Sequence, residues 1–424
     1  MLSLRKIIYI VCVLSLCFYT TIYAQNINKD SLAVKSYSII IADQSLRQFT
    51  MKQSNQNFLT SYRYLSQLST NLFGENKTYL LQALTSLLSI PLTHEEGHRS
   101  ILTSLGIGSI SQPIFNTKAA AYVNGVRDET LMNLRSTNLP SYIRLHTAGL
   151  ESDYTLLNRE TELILFCQEN KELLSIDHLF RKVSLIWYYS TSPFSALNVK
   201  LKEETNDLER DIVGHDIYGA VKHLHRPNDN EFYRYVNYSN LTNEEKSFLN
   251  RVALRALLNI VSPILIKPLN VLQKDNFRLS LGLGYSMSPF GDFIDENVWM
   301  RYKQKYNIHA YLRQYQNRKT WFPAGGVSLV DYQFSRKFNV TFSTHYWSQP
   351  KNLDFNTSKF DFGAAGDVLL RYSFLDNKQG SSLSFDLGLM AKSKGFLPEE
   401  VFLKEHLGLR VGITLKLNQK QNNK

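Results

Sequence analysis

Leu407-Gly408-Leu409-Arg410-Val411-Gly412-Ile413-Thr414-Leu415-Lys416-Leu417 alternates without a break. Leu, Val and Ile fill one set of positions, and Gly, Arg, Thr and Lys fill the other. A period of two places the two sets on opposite faces of a strand. The same pattern occupies 277–288, where Phe277, Leu279, Leu281, Leu283, Tyr285 and Met287 alternate with Arg278, Ser280, Gly282, Gly284, Ser286 and Ser288. Residues 306–312, 338–346, 360–374 and 383–389 behave alike, 325–334 less regularly, and Val298, Met300 and Tyr302 indicate one more strand. Turn formers separate the runs, as Asp376, Asn377 and Gly380 do. Residues 271–424 are therefore expected to form an antiparallel β-barrel or sheet of seven to eight strands. Uniform apolar faces opposite small or polar ones suit a membrane barrel. A soluble sheet covered by the rest of the chain alternates as well.

Upstream the period changes. Apolar residues recur every three or four positions in 163–166, 179–189 and 252–265, punctuated by Pro193, Pro227 and Pro263. This predicts a mainly helical domain over 25–270 and an α+β chain. Residues 110–126, with Pro113 and Asn124-Gly125, are expected to form a hairpin. Residues 1–24 read as a signal peptide: Arg5 and Lys6, an apolar run over 7–18, then Ala24. The expectation is an exported protein of the outer membrane or periplasm. Of three cysteines, Cys12 and Cys17 lie in that signal, leaving Cys167. An intramolecular disulfide and a four-cysteine zinc site are thereby excluded from the mature chain. The net charge of +11 is spread along the chain with no basic block. Nucleic acid is not an expected partner, whereas an anionic membrane surface is compatible.

The helical part holds one conspicuous motif, His94-Glu95-Glu96-Gly97-His98. On a helix, H-E-x-x-H sets two imidazoles at i and i+4 on one face, where they can share Zn²⁺. Glu95 is then placed to take a proton from a water beside the metal. The motif is a polar island between apolar stretches at 79–92 and 101–107, so its charged groups need partners. The same residues also permit a capping box, with Thr93 as cap, Glu96 reaching back, and Pro91 near the helix start. A catalytic zinc needs a third protein ligand, and the pattern leaves several open: Glu151, Asp153, Glu160, Glu162, Asp211, His215, Asp216, His223 and His225. Asp211 and His215, at i and i+4, could pair as an aspartate orienting a histidine on a helix.

The motif resembles that of the zincin metallopeptidases, and its surroundings resemble the site-2 protease family. In that family an H-E-x-G-H helix is followed by a short β region, an Ala-Gly opening another helix, and a distant aspartate. Here these elements correspond to 94–98, 110–126, Ala148-Gly149 and Asp216, within at most 80–219. The resemblance implies His94, His98 and Asp216 as metal ligands and Glu95 as the catalytic base. Ile217 stands where the family has Gly after the aspartate, and Leu150 where it has Pro after Ala-Gly. The C-terminal part resembles a small outer-membrane barrel. The expected function is a zinc-dependent hydrolase, a metallopeptidase acting on a peptide or protein. The alternative is a non-enzymatic outer-membrane protein with a structural or vestigial metal site.

Overall fold

The alternating segments pair as their period dictates. Strands β5 (Phe277–Ser288), β6 (Gly291–Tyr302), β7 (Tyr306–Gln316), β8 (Trp321–Gln333), β9 (Phe338–Pro350), β10 (Phe360–Asp376), β11 (Ser382–Lys392) and β12 (His406–Asn418) form antiparallel neighbours in chain order. The computed structural model describes residues 34–44, 49–112, 120–197, 203–229, 232, 234–274, 276–376 and 381–418. The expected signal, 1–24, lies outside them. Among the described residues the large sheet has ten strands rather than seven or eight. The additions are β4 (Leu272–Lys274), paired with β5, and β1 (Val34–Asp43), paired with β12. β1 comes from the part expected to be helical. Its run Ile39-Ile40-Ile41 does not alternate, because a bulge between Ile40 and Ala42 breaks the facing pattern. Among the described residues β1 and β4 each pair on one side only, so strand pairing alone leaves the sheet open.

Two shorter strands, β2 (Ile110–Gln112) and β3 (Tyr122–Asn124), pair antiparallel as the hairpin expectation required. Asn124-Gly125 ends β3 instead of making the turn, and 113–119 lie outside the described residues.

Seven α-helices are present among the described residues: α1 (Met51–Phe73), α2 (Glu75–Ser104), α3 (Asp128–Thr137), α4 (Leu139–Leu165), α5 (Lys171–Thr191), α6 (Asp216–His225) and α7 (Asn243–Ala256). Caps fix several starts. Thr50 accepts from the Gln53 N–H, Asn138 from Ser141, and Thr242 with Glu245 makes a reciprocal box. α1 and α2 fold back on each other about Gly74, whose φ of 80° suits glycine. Ser69 meets Thr78 across the hairpin, and Ser86 meets Tyr62. α4 is the central helix, with every residue of 141–157 buried.

Much of the sheet's covered face is polar, beside an apolar part where Tyr285, Met287, Phe293, Tyr315, Trp347 and Met390 pack with the helices. In β11, Phe385, Leu387 and Leu389 are exposed, whereas Ser384, Asp386 and Lys392 are buried. The covered charges are paired: Arg313 with Asp295 at 2.6 Å, Arg371 with Asp386 at 2.8 Å, and Arg410 with Asp43 at 2.9 Å. Pairing offsets the desolvation that an isolated buried charge would suffer. Between this face and helices α1 and α4 lies a polar cavity of about 1140 Å³.

Candidate metal centre

The motif sits inside α2, eighteen residues or more from the helix start. The capping box is therefore not formed. Thr93 Oγ1 donates to the helical carbonyls of Ser89 and Ile90, and Glu96 is engaged by Arg99 and Ser111. Pro91 lies mid-helix, where its missing N–H leaves the Leu87 carbonyl without the usual i+4 donor. The helix persists because its buried polar side chains and its packing on α4 and α5 outweigh that loss.

α2 and α4 approach closely at two glycines. A Cβ on Gly97 would lie 2.4 Å from the Ala148 carbonyl oxygen, and one on Gly149 would lie 2.3 Å from His94 Nε2. The pairs Gly97 and Ala148-Gly149 thus have a packing reason, and Ala148-Gly149 lies within α4 rather than opening a helix.

His94, His98 and Asp216 come together, with one ligand atom from each within 4.8 Å of the others. Asp216 Oδ2 is 2.9 Å from His94 Nε2 and 3.4 Å from His98 Nε2. Metal–nitrogen bonds near 2.05 Å in a tetrahedron would separate adjacent ligand atoms by about 3.3 Å. The remaining ring nitrogens are held from behind. His94 Nδ1 is 2.8 Å from Asp153 Oδ2, and His98 Nδ1 donates to the Leu145 carbonyl at 2.6 Å. Such partners fix the tautomer that keeps the Nε2 lone pairs for a cation. Asp153 is itself held by Arg181 Nη1 at 2.7 Å, and Arg181 also pairs with Asp177 and donates to Thr93.

The cluster is shielded. His98 is fully buried and Asp216 nearly so, while His94 retains 14% side-chain exposure. Among the described residues Glu95 Oε2 and His98 Nε2 are buried with no hydrogen-bond partner. A buried carboxylate oxygen and imidazole nitrogen left open beside a third ligand suit a cation. Burial alone would push the Asp216 carboxyl up, but the flanking His98 and His94 hold it well below the usual carboxylate range. Asp211, beside Glu95, is pushed up to about 8 by burial and by the Glu95 charge.

The other candidates stand elsewhere. Glu151 is spent on a buried bidentate pair with Arg144, at 2.6 and 3.1 Å, and on the Glu399 N–H. Glu160 lies by His178, and Glu162 by His309. His215 caps α6 and stacks on Tyr218 at 3.7 Å, with burial lowering its imidazole to about 4. Asp211 and His215 precede α6, so the helical i, i+4 pairing expected for them is absent. His223 stacks near His146 at 5.7 Å and His225 bonds to the Val221 carbonyl. Sequence reasoning passed over Arg181 and Tyr188 on α5. The Tyr188 hydroxyl accepts from the Asp216 N–H at 3.3 Å, and the ring lies 6.1 Å from His94. The Asp177–Arg181 spacing of i, i+4 on an apolar helix was the available signal.

The chain matches no known family model, and no curated protein is detectably similar to it.

Proposed function

We propose that the chain is a zinc-dependent hydrolase, most simply a metallopeptidase, with His94, His98 and Asp216 as ligands and Glu95 as the base. One observation carries this reading: both Nε2 atoms converge on Asp216 Oδ2 while both Nδ1 atoms are held by Asp153 and Leu145. A zinc ion held there would lower the pKa of a water and polarise a scissile carbonyl. Glu95 accepts the proton from the attacking water and delivers it to the leaving amine. Burial strengthens that role by raising the carboxyl's affinity for a proton, and Oε2 has no hydrogen-bond partner among the described residues. Asp153 and Arg181 keep His94 aimed, and the Leu145 carbonyl does the same for His98. The substrate class proposed is a peptide or protein, and the site of action the cell envelope after export.

A closed, non-catalytic zinc site would require a fourth protein ligand, for example His215. Its ring stacks on Tyr218 and no ligand atom of it joins the three-residue group, which favours the open site. The test is Glu95→Gln. It should retain one zinc per chain, measured by elemental analysis, and lose turnover. Wild-type turnover in this variant would remove Glu95 from the mechanism.

A further inference from the structure

Parts of this molecule turn apolar side chains outward over polar ones. On the sheet, Leu312, Val327, Phe342, Leu370, Leu387, Leu409 and their neighbours are exposed, while the covered face carries paired charges beside its apolar cluster. α2 repeats the inversion on a helix. Thr78, Gln82, Ser86, Ser89 and Thr93 are buried, whereas Leu80, Leu84, Leu87, Leu88 and Leu92 are exposed, Leu80 by 68%. α1 does the same, with Leu65, Leu68, Leu72 and Phe73 outward. Each such side chain gains about 1.5–3 kcal/mol on leaving water, so a surface of this extent calls for an apolar medium.

The sheet edges supply an independent observation. An open edge cannot face hydrocarbon, because its N–H and C=O groups would be unsatisfied. Here β1, and β5 beyond its short pairing with β4, are sealed by side chains or backbone of the helical part. Along β1, Asn57 Oδ1 accepts from the Ile40 N–H at 2.7 Å and Asn57 Nδ2 donates to the Ile40 carbonyl at 2.9 Å. Gln53 donates to the Ile40 and Ile41 carbonyls, and Gln56 and Thr60 donate to that of Ser38. Along β5, Asn259 makes the same two-way pair with Tyr285, at 3.0 and 3.1 Å. The Leu283 N–H donates to the Val261 carbonyl, and the Met287 N–H to the Tyr189 hydroxyl.

We infer that the sheet and the α1–α2 hairpin form one wall in contact with bilayer lipid, with helices sealing the gap that the ten strands leave. Strands of 11 residues, such as β11, tilted by about 40° span about 28 Å, close to the hydrocarbon thickness. No described helix is long and apolar enough to cross a membrane. α1 and α2 need not do so alone, since each presents only its leucine face outward. This inference rests on the polarity and the sealed edges, and stands or falls apart from the zinc chemistry.

The test uses the full chain with its three cysteines changed to serine, reconstituted in phosphatidylcholine vesicles. A fluorophore is attached at Leu84→Cys on α2, Leu387→Cys on β11, or Lys394→Cys in the β11–β12 loop. Lipid carrying a nitroxide on its acyl chain should quench most of the emission at Leu84 and Leu387 and spare Lys394. Quenching at Leu387 without Leu84 would remove the helices from the wall. Protection of both sites from aqueous iodide without nitroxide quenching would mean that protein, such as a second copy, covers the surface. A chain that stays monomeric in solution without vesicles would overturn the inference outright.

Discussion

Gly149→Ala tests the metal centre without replacing a ligand. The added Cβ would lie 2.3, 2.4 and 2.6 Å from Nε2, Cδ2 and Cε1 of His94. Favourable contacts begin near 3.5 Å, so the ring must retreat by about 1 Å. His94 cannot retreat freely, because Asp153 holds Nδ1 at 2.8 Å and Nε2 lies 2.9 Å from Asp216. Its path is outward, toward the exposed side, which breaks both contacts. Elsewhere in a helix, alanine for glycine stabilises by about 1 kcal/mol, which opposes the steric cost. The two readouts should therefore separate. Zinc affinity, measured by competition with a chromophoric chelator, should fall by at least the roughly 10- to 100-fold that loss of an outer partner costs. The melting temperature of the zinc-free protein should change far less. Gly97→Ala is the contrasting case: its Cβ would meet the rigid Ala148 backbone oxygen, so the whole fold should lose stability. Wild-type zinc affinity in Gly149→Ala would refute the assigned position of His94.

The remaining predictions concern the groups around that centre and the covered charges. Asp153→Ala should weaken zinc binding about 10- to 100-fold and lower stability as well, since buried Arg181 loses one of its two carboxylate partners; chelator competition beside calorimetry would show both. Asp211, raised to about 8, holds a proton in the folded state that the unfolded chain loses near pH 4. Zinc-free protein should therefore lose stability as pH rises from about 4 to about 8, and Asp211→Asn should flatten that slope in thermal melts; an unchanged slope would refute the assignment. Arg313→Met should cost about 3–5 kcal/mol in denaturant unfolding by stranding buried Asp295, and adding Asp295→Leu should recover much of it.

Much of this architecture was legible because the physics behind it is periodic. Most of strands β5 to β12, though less clearly β6 and β8, alternate along their own sequence, and the two motif histidines needed only a helix to share a face. What escaped depended on contacts distant in sequence. β1 lacks alternation because of its bulge, and its partner β12 lies almost four hundred residues away. Thr93 and Glu96 spelled a local cap, but Arg181 and Arg99 claim them. Asp216, placed by resemblance, falls beside the histidines, whereas Glu151 was an equally acidic candidate that Arg144 takes up. Side-chain chemistry alone could not rank those two carboxylates; only the partner that reaches each one does.

The pairing of β1 with β12 also dictates an order of events. Val34 lies opposite Asn418, so the first described strand meets the last. β1 has no ladder partner other than β12 among the described residues. Until β12 pairs with it, the backbone of 34–43 has only α1 to satisfy it, through Gln53, Gln56, Asn57 and Thr60. Contacts of such long range make closure the slow step of folding. The α1 clasp covers the edge of β1 that β12 does not pair. It also brings the two ends of the described chain side by side, the arrangement in which joining them and cutting elsewhere leaves a fold intact.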